Sequence, residues 1–412
     1  MNQNIHKNPT TYSKWLEFTI FLLFFLGPLT GNIINVLFGV LSSYFQVTPD
    51  NILIAIPAFM FPFAIIQLFS GAISDVKGRI PVLIIGLILF GIAMLIAATS
   101  FNLVLYIIAN VIGGIGFGFI NPVLIALMTD ISPPQNIGKK MGYLGASANL
   151  GVGLGPLIAS QMILIGWQSI YIVFIGITFF CLIYFVSVKR PPQNISEESG
   201  IRSFLSQLSE EWRRLTVILM IISAFLISHT YIAINIWTSK TLSQAHVLNE
   251  TIIGAILGLA GVGAAITGVL TGHLIKRKSA KFPLLIGLLI LLSSIGILLI
   301  IGDITNPDRF ILLAIGWILA GFSGGILFTS ITFYSQVLSP KRRGALAGSL
   351  TASYFTGIAL VPITLAPFSD NWGITGVYIA ILIASIFFII ITVLLYIYSK
   401  SVIVERNKIV SD

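Results

Sequence analysis

The sequence predicts an all-α membrane protein of twelve transmembrane helices, arranged as two pseudo-symmetric six-helix bundles. Three observations lead there. Only 9% of the 412 residues are charged while 56% are hydrophobic, whereas a soluble domain carries about a quarter charged residues. So few charges cannot coat a water-facing surface, and the solvent for most of the chain must be lipid. Twelve apolar runs are each long enough to cross a bilayer, and the landmarks of the first six return in the second six.

A crossing helix needs about 20 mostly apolar residues. Runs of that kind fall at 15–42, 51–73, 81–100, 103–129, 141–164 and 168–188, and again at 215–239, 251–275, 282–301, 310–336, 345–367 and 374–399. The first exceeds the roughly 7–15 residues of a signal-peptide core and reads as a retained helix. The longest polar stretch, Lys189 to Arg214, opens with Arg190-Pro191-Pro192 and divides the chain into bundles over 1–190 and 215–412 with a linker over 191–214. Within the linker, Ile201, Phe204, Leu205, Leu208 and Trp212 recur at helical spacing among Arg202, Glu210, Glu211, Arg213 and Arg214. Such an amphipathic helix lies either on the membrane surface or against protein. The single cysteine, Cys181, sits inside an apolar run and alone makes neither an internal disulfide nor a four-ligand metal site. Neither metal nor cofactor is expected.

Of the 23 Lys and Arg residues, all but Lys240 and Arg309 fall on one side of the membrane when both termini share that side. The positive-inside rule makes that side the cytoplasm. The net charge of +9 therefore needs no nucleic-acid partner. The basic runs Lys276-Arg277-Lys278 and Lys341-Arg342-Arg343 read as topology signals rather than ligand sites.

The halves repeat. Ser132-Pro133, Gly142, Ser147, Gly151 and Pro156 return as Ser339-Pro340, Gly348, Ser353, Gly357 and Pro362, and Ile80-Pro81-Val82-Leu83-Ile84 is answered by Phe282-Pro283-Leu284-Leu285-Ile286. Paired halves of this kind place a binding site between them near the bilayer midplane.

Two motifs carry a resemblance. After the second span the chain reads Gly71-Ala72-Ile73-Ser74-Asp75-Val76-Lys77-Gly78-Arg79, where glycines permit a tight interfacial turn and Asp75 can pair with a base or a helix N-terminus. This resembles the loop signature of the major facilitator superfamily, G-x-L-A-D-R-x-G-R: Gly71, Asp75, Gly78 and Arg79 match, Ile73 replaces Leu, and Lys77 is displaced by one from the first basic position. The resemblance implies a cytoplasmic latch in which Asp130, ending the fourth span, partners the arginine. The fifth span carries Gly151-Val152-Gly153-Leu154-Gly155-Pro156-Leu157-Ile158-Ala159-Ser160, similar to the superfamily's antiporter signature G-x-x-x-G-P-x-x-G-G. Gly151, Gly155 and Pro156 are intact, and Ala159 and Ser160 stay small, so close packing survives and the proline loosens the helix. The second-half copy of the loop is degraded: Gly268 and Leu270 remain, but Gly272 and Ile275 stand where Asp and Gly belong. The resemblance covers essentially the whole chain and implies a secondary transporter of the drug-exporter branches, without naming a substrate.

All 14 acidic residues fall in loops, tails or helix ends, Glu17 being the deepest, and Asn110 occupies the fourth-span position where many relatives carry arginine. These features speak against proton coupling of the familiar kind and against cationic substrates. His229, flanked by Ser228 and Thr230 in the seventh span, is the remaining ionisable group at depth; it either carries a coupling proton or is a neutral interhelical contact. Asn32, Asn35, Asn121, Asn149, Tyr231, Asn235 and Tyr354 stand with His229 at pocket-compatible depth, each a cavity candidate or packing glue.

The expected activity is alternating-access export of a small neutral or amphipathic solute across the plasma membrane, by a monomer with both termini cytoplasmic, with protons as a candidate coupling ion. An uptake carrier or facilitator, and a non-transporting receptor on the same fold, are the alternatives. No Walker A, H-E-x-x-H or paired intramembrane carboxylates support an enzyme.

Overall fold

The computed structural model describes residues 14–133, 136–188, 201–277, 281–339 and 342–411. Pro340, Lys341, Lys278 and Arg190-Pro191-Pro192 lie outside them, as do the side chains of Ile201, Arg202, Phe204, Lys276, Arg277 and Arg343. In lipid every backbone polar group must be satisfied within the chain, which leaves helices for sequences without a barrel's alternation. The described residues form helices throughout, with no strand among them.

The crossing helices of the first half are α1 (Lys14–Asn32, continued through a 3₁₀ turn Ile33–Val36 and Phe38–Phe45), α2 (Ala55–Lys77), α3 (Arg79–Ala98), α4 (Leu103–Ile131), α5 (Ile137–Met162) and α6 (Gln168–Ser187). The second half has α7 (Leu215–Ile227, a π turn Ser228–Ile232, then Ala233–Gln244), α8 (Glu250–Arg277), α9 (Lys281–Ile301) and α10 (Phe310–Val337). Its last helical stretch, Arg343–Ser411, is broken only at Gly373, with φ 59° and ψ −156°. It therefore makes two crossings, α11 (343–372) and α12 (374–411). The sequence places a loop over 368–373; instead α11 runs on, Phe368 packs on Trp372 with centroids 5.9 Å apart, and one glycine in the left-handed region makes the turn.

Helix α3 shows how lipid and protein divide one helix. Ile85, Ile88, Ile92 and Leu95 are exposed, while Leu83, Leu87, Phe90 and Met94 are buried. These are opposite faces at helical spacing. Exposed apolar rows recur on α6 (Phe179, Ile183, Val186) and α12 (Ile383, Ile386, Ile390, Ile397), which places those helices on the outside, against the bilayer.

Helix association in lipid has little hydrophobic drive and depends on close packing. Here that packing is glycine against carbonyl, and it repeats. A Cβ on Gly114 of α4 would lie 2.1 Å from the Phe59 oxygen of α2, and one on Gly321 of α10 would lie 2.3 Å from the Ala260 oxygen of α8. Gly151 of α5 stands 2.3 Å, by the same measure, from the Phe25 oxygen of α1, and Gly357 of α11 2.8 Å from the Phe225 oxygen of α7. The repeat seen in the sequence is thus a repeat of backbone contacts.

The linker helix, Ile201–Glu211, lies against protein. Leu208 and Glu211 are buried, and Trp212 Nε1 donates to Ser349 Oγ on α11 at 2.9 Å.

Any side chain at Gly321 must push α8 from α10. Gly321→Val is expected to destabilise the protein by about 1–3 kcal/mol through overpacking. Gly296→Ala on α9, where the added methyl meets nothing within 4 Å, serves as the control. Thermal unfolding of the purified protein in detergent checks this; equal midpoints for the two variants would remove the contact's importance.

Candidate functional site

The first helix of each half is interrupted midway, and both interruptions face one cavity. In α1, Pro28 has no N–H to give, Asn32 Nδ2 donates to the Pro28 oxygen at 2.7 Å, and the chain tightens into the 3₁₀ turn Ile33–Val36. In α7 the wider π turn takes hydroxyl donors: Ser228 to the Phe225 oxygen at 2.5 Å and Thr230 to the Ile227 oxygen at 2.7 Å. Such local departures from α geometry commonly mark functional positions.

The cavity between the halves has a volume of about 150 Å³. Six of the eight sequence candidates line it: Asn32 and Asn35 from α1, Asn121 from α4, Asn149 from α5, Tyr231 from α7 and Tyr354 from α11. The Tyr231 and Tyr354 hydroxyls are hydrogen-bonded at 2.6 Å. The rest of the wall is apolar, with Phe59, Met60 and Phe63 of α2 prominent; Phe63 meets Phe355 of α11 edge-on, centroids 4.6 Å apart, across the halves. No Asp, Glu, Lys, Arg or His is among the lining residues. Amide and phenol groups on a largely apolar wall recognise uncharged molecules with both apolar and hydrogen-bonding parts.

The other two candidates sit elsewhere. Asn235 lines a narrow adjoining pocket with Asn32, Asn35 and Tyr231, where its Oδ1 accepts from Trp317 Nε1 at 2.7 Å. His229 faces away from the cavity. Its ring stacks on Phe225 with centroids 4.5 Å apart, and its Nε2 lies 3.1 Å from Thr364 Oγ1 of α11. Thr364 gives its own hydrogen to the Leu360 oxygen at 2.9 Å, so its oxygen accepts and His229 Nε2 donates. The imidazole is then a contact between α7 and α11.

At the end away from the termini the halves are tied together. There Gly39 N donates to Ser243 Oγ at 2.8 Å, joining α1 to α7. Asp50 pairs with Lys240 at 2.5 Å, and that ammonium, 5% exposed, lies 5.2 Å from the Trp237 ring centroid. Helices α5 and α8 touch through backbone, a Cβ on Gly261 falling 2.2 Å from Gly153 Cα. The sequence marked Lys240 only as one of two basic residues on the sparse side. A lone cation there was the available signal for a paired, buried group; nothing pointed to Asp50 as its partner.

At the termini end Arg79 is the hub of the loop motif. It pairs with Asp75, meets Asp130 Oδ2 at 3.0 Å, and donates to Ser74 Oγ at 2.6 Å and weakly to the Gly71 oxygen at 3.5 Å. Arg79 thereby ties the end of α2 to the end of α4. The motif is less of a loop than its sequence implies: α2 continues through Gly71 to Lys77, and Gly78 alone, with φ 95°, makes the turn. In the second half Val337 stands where the repeat would put the counterpart of Asp130. A carboxylate arrives instead from the linker helix. Buried Glu211 accepts from Ser339 Oγ at 3.1 Å and pairs with Arg214 at 2.9 Å and Arg342 at 3.4 Å. The antiporter-like Gly151, Gly155 and Pro156 lie along α5, with Gly151 and Gly155 against α1.

Residues 20–308 and 230–409 match the family model described as Major Facilitator Superfamily. The quinolone resistance protein NorA of Staphylococcus aureus is 34% identical over 150 residues, which are 36% of this chain and 37% of NorA; the chain thus spans little more than a third of that relative's length. YceJ of Bacillus subtilis (strain 168), an MFS-type transporter, is 25% identical over 350 residues, 83% of this chain and 85% of its own. Among solved structures, a bacterial homolog of the human lysosomal transporter Spinster, inward-facing and unoccupied, superposes with TM-score 0.70 at 13% identity, covering 94% of this chain and 98% of that one. A D-xylose–proton symporter does so with TM-score 0.70 at 15% identity, covering 91% and 96%. At such identities the structures speak for the fold alone.

Asp130→Asn removes one of the two carboxylates on Arg79 and, with Asp130 a third exposed, is expected to destabilise by about 1 kcal/mol or less. Arg79→Ala leaves Asp75 and Asp130 without their shared cation and should lower the thermal midpoint further while membrane insertion persists. Identical midpoints for the two variants would show that Arg79 is not the tie.

Proposed function

The chain belongs to the Major Facilitator Superfamily, and from that premise we propose that it exports an uncharged or amphipathic organic molecule from the cytoplasm by alternating access. The observation that carries this reading is the central cavity, lined by asparagines and tyrosines on an aromatic wall and by no ionised group. Support for export comes from the GxxxGP sequence at Gly151, Gly155 and Pro156 and from the partial likeness to a relative named for quinolone resistance. The two units, 1–190 and 215–412, rock about the cavity with the linker between them. The basic termini end faces the cytoplasm of a plasma membrane, and the chain works as a monomer.

In this reading the Asp50–Lys240 pair and the Gly39–Ser243 bond close the outer side, and they must part for release. The latch of Gly71, Asp75, Gly78, Arg79 and Asp130 holds the opposite closure when the outside opens. An uptake carrier or facilitator of a small metabolite is the second reading. It is kept in view because the deep carboxylate that drives many proton-coupled relatives is missing from the sequence.

Flux in proteoliposomes of the purified protein, with labelled amphipathic drugs, sugars and amino acids and with or without a pH gradient, tests the proposal. Drug flux out of the cytoplasmic side is expected, with sugars and amino acids unmoved. Uptake of a sugar or amino acid instead would favour the second reading, and binding with no flux would favour a receptor. Gradient-driven flux lost in His229→Gln would make the imidazole the coupling site. A second outcome concerns the outer closure. In the double variant Asp50→Cys/Lys240→Cys, oxidation to a disulfide should stop transport and a reductant should restore it. Undiminished transport by the cross-linked form would mean that this side never opens.

A further inference from the structure

Resting on that reading, we propose that the central cavity selects molecules carrying a hydrogen-bond donor and an acceptor on one neutral group, the pairing found in a carboxamide or lactam, on an apolar part about one ring in size. The acceptor on the wall is Asn32. The Pro28 oxygen can only accept, so the end of the Asn32 amide turned to it, at 2.7 Å, is Nδ2. A flipped amide would set oxygen against oxygen, which fixes the assignment. Oδ1 is thereby directed elsewhere, and among the described residues no protein donor reaches it. The donor comes from two phenols. Tyr231 and Tyr354 are both buried, and the 2.6 Å bond between their hydroxyls uses one of the two hydrogens they carry. Neither hydroxyl has another protein partner among the described residues, which leaves one O–H for whatever fills the cavity.

Both phenol rings are held in place. A Cβ on Gly324 of α10 would lie 2.5 Å from the Tyr231 ring, and Tyr354 packs on Phe328 and Phe355 with centroids 4.9 and 5.3 Å away. Asn32 and Tyr231 line both the central cavity and the narrow pocket beside it, so acceptor and donor share one corner, where a single small group can meet both. Asn121 and Asn149 have no hydrogen bond to orient them among the described residues. Their amides can turn to either function, whereas Asn32 and the tyrosine pair are set. Size and charge narrow the class further. A space of about 150 Å³ is that of a cavity that admits benzene. No ionised side chain lines it, so an ammonium or a carboxylate would enter without a counter-charge. A ligand that displaces water loses affinity unless it reproduces the water's hydrogen bonds, and water both donates and accepts. A ketone or ester can meet the tyrosines but has nothing to give Asn32. An amide N–H beside its own carbonyl serves both.

Three compounds of nearly one shape test this: benzamide donates and accepts, acetophenone only accepts, and 2-phenylpropene does neither. Their binding to the full purified chain in detergent is titrated, with protein-free micelles as the blank. Each step down the series is expected to weaken binding roughly 2- to 12-fold, the range of one neutral hydrogen bond. Asn32→Leu should abolish the difference between benzamide and acetophenone and keep that between acetophenone and 2-phenylpropene. The double variant Tyr231→Phe/Tyr354→Phe should do the reverse. Should a variant not fold, the order of the three compounds on the wild type decides. Benzamide no tighter than acetophenone, acetophenone no tighter than 2-phenylpropene, or either difference surviving the variant meant to remove it, would overturn the proposal. Proteoliposome flux separates this from the wider reading. The expected binding order without flux of any labelled drug would end the export proposal and leave the recognition standing; drug export by a chain that does not prefer benzamide would do the opposite.

Discussion

Each half depends on backbones that touch. A bilayer offers its helices little reason to associate beyond shape, and this chain meets that constraint by setting glycines against carbonyl oxygens: Gly114 on Phe59 and Gly151 on Phe25, answered by Gly321 on Ala260 and Gly357 on Phe225. Contacts this close have no slack, so each half is held as a unit. The two halves also meet through a glycine seam, between α5 and α8, together with an aromatic contact between Phe63 and Phe355 and polar ties at one end.

Three of the cavity's six asparagines and tyrosines come from in or beside the two interrupted stretches of helix. The turns at Ile33–Val36 and Ser228–Ile232 bring Asn32, Asn35 and Tyr231 to the cavity. Side-chain donors fill in along both stretches, from Asn32 in α1 and from Ser228 and Thr230 in α7, as an apolar surrounding demands. The halves are not identical in their chemistry. The second half has no acid at the position of Asp130, and there Glu211 of the linker pairs with Arg342 beside α11, so the segment that joins the halves is also tied to one of them.

Much of this was legible in the residues. Hydropathy gave the crossings to within a few residues, because twenty apolar residues in a row have few other fates. The paired landmarks Gly151 and Gly357 announced the repeat. Asn32, Asn121, Asn149 and Tyr354 stood out because an amide or phenol in lipid needs a reason. The misses share a cause. Phe59, Phe63 and Met60 are cavity walls, yet a phenylalanine facing a cavity and one facing lipid read alike. The π turn in α7 carries neither proline nor glycine, so nothing announced it. His229 drew attention by its chemistry, but which way a side chain points on a helix whose phase shifts beneath it is set by the turn. Asp50 and Lys240 are 190 residues apart in the chain, and only the fold brings them together.

The uncharged cavity has an electrical consequence. A full charge carried through the membrane field exchanges about 2.3 kcal/mol for every 100 mV. No carboxylate, ammonium, guanidinium or imidazole lines the cavity among the described residues, and Lys240 sits beside its counter-ion at one end, where little of the field remains to be crossed. In the proposed mechanism, swinging the vacant halves from one side to the other would therefore move almost no charge. That return stroke would then proceed at the same pace in a polarised cell and in one that has lost its potential.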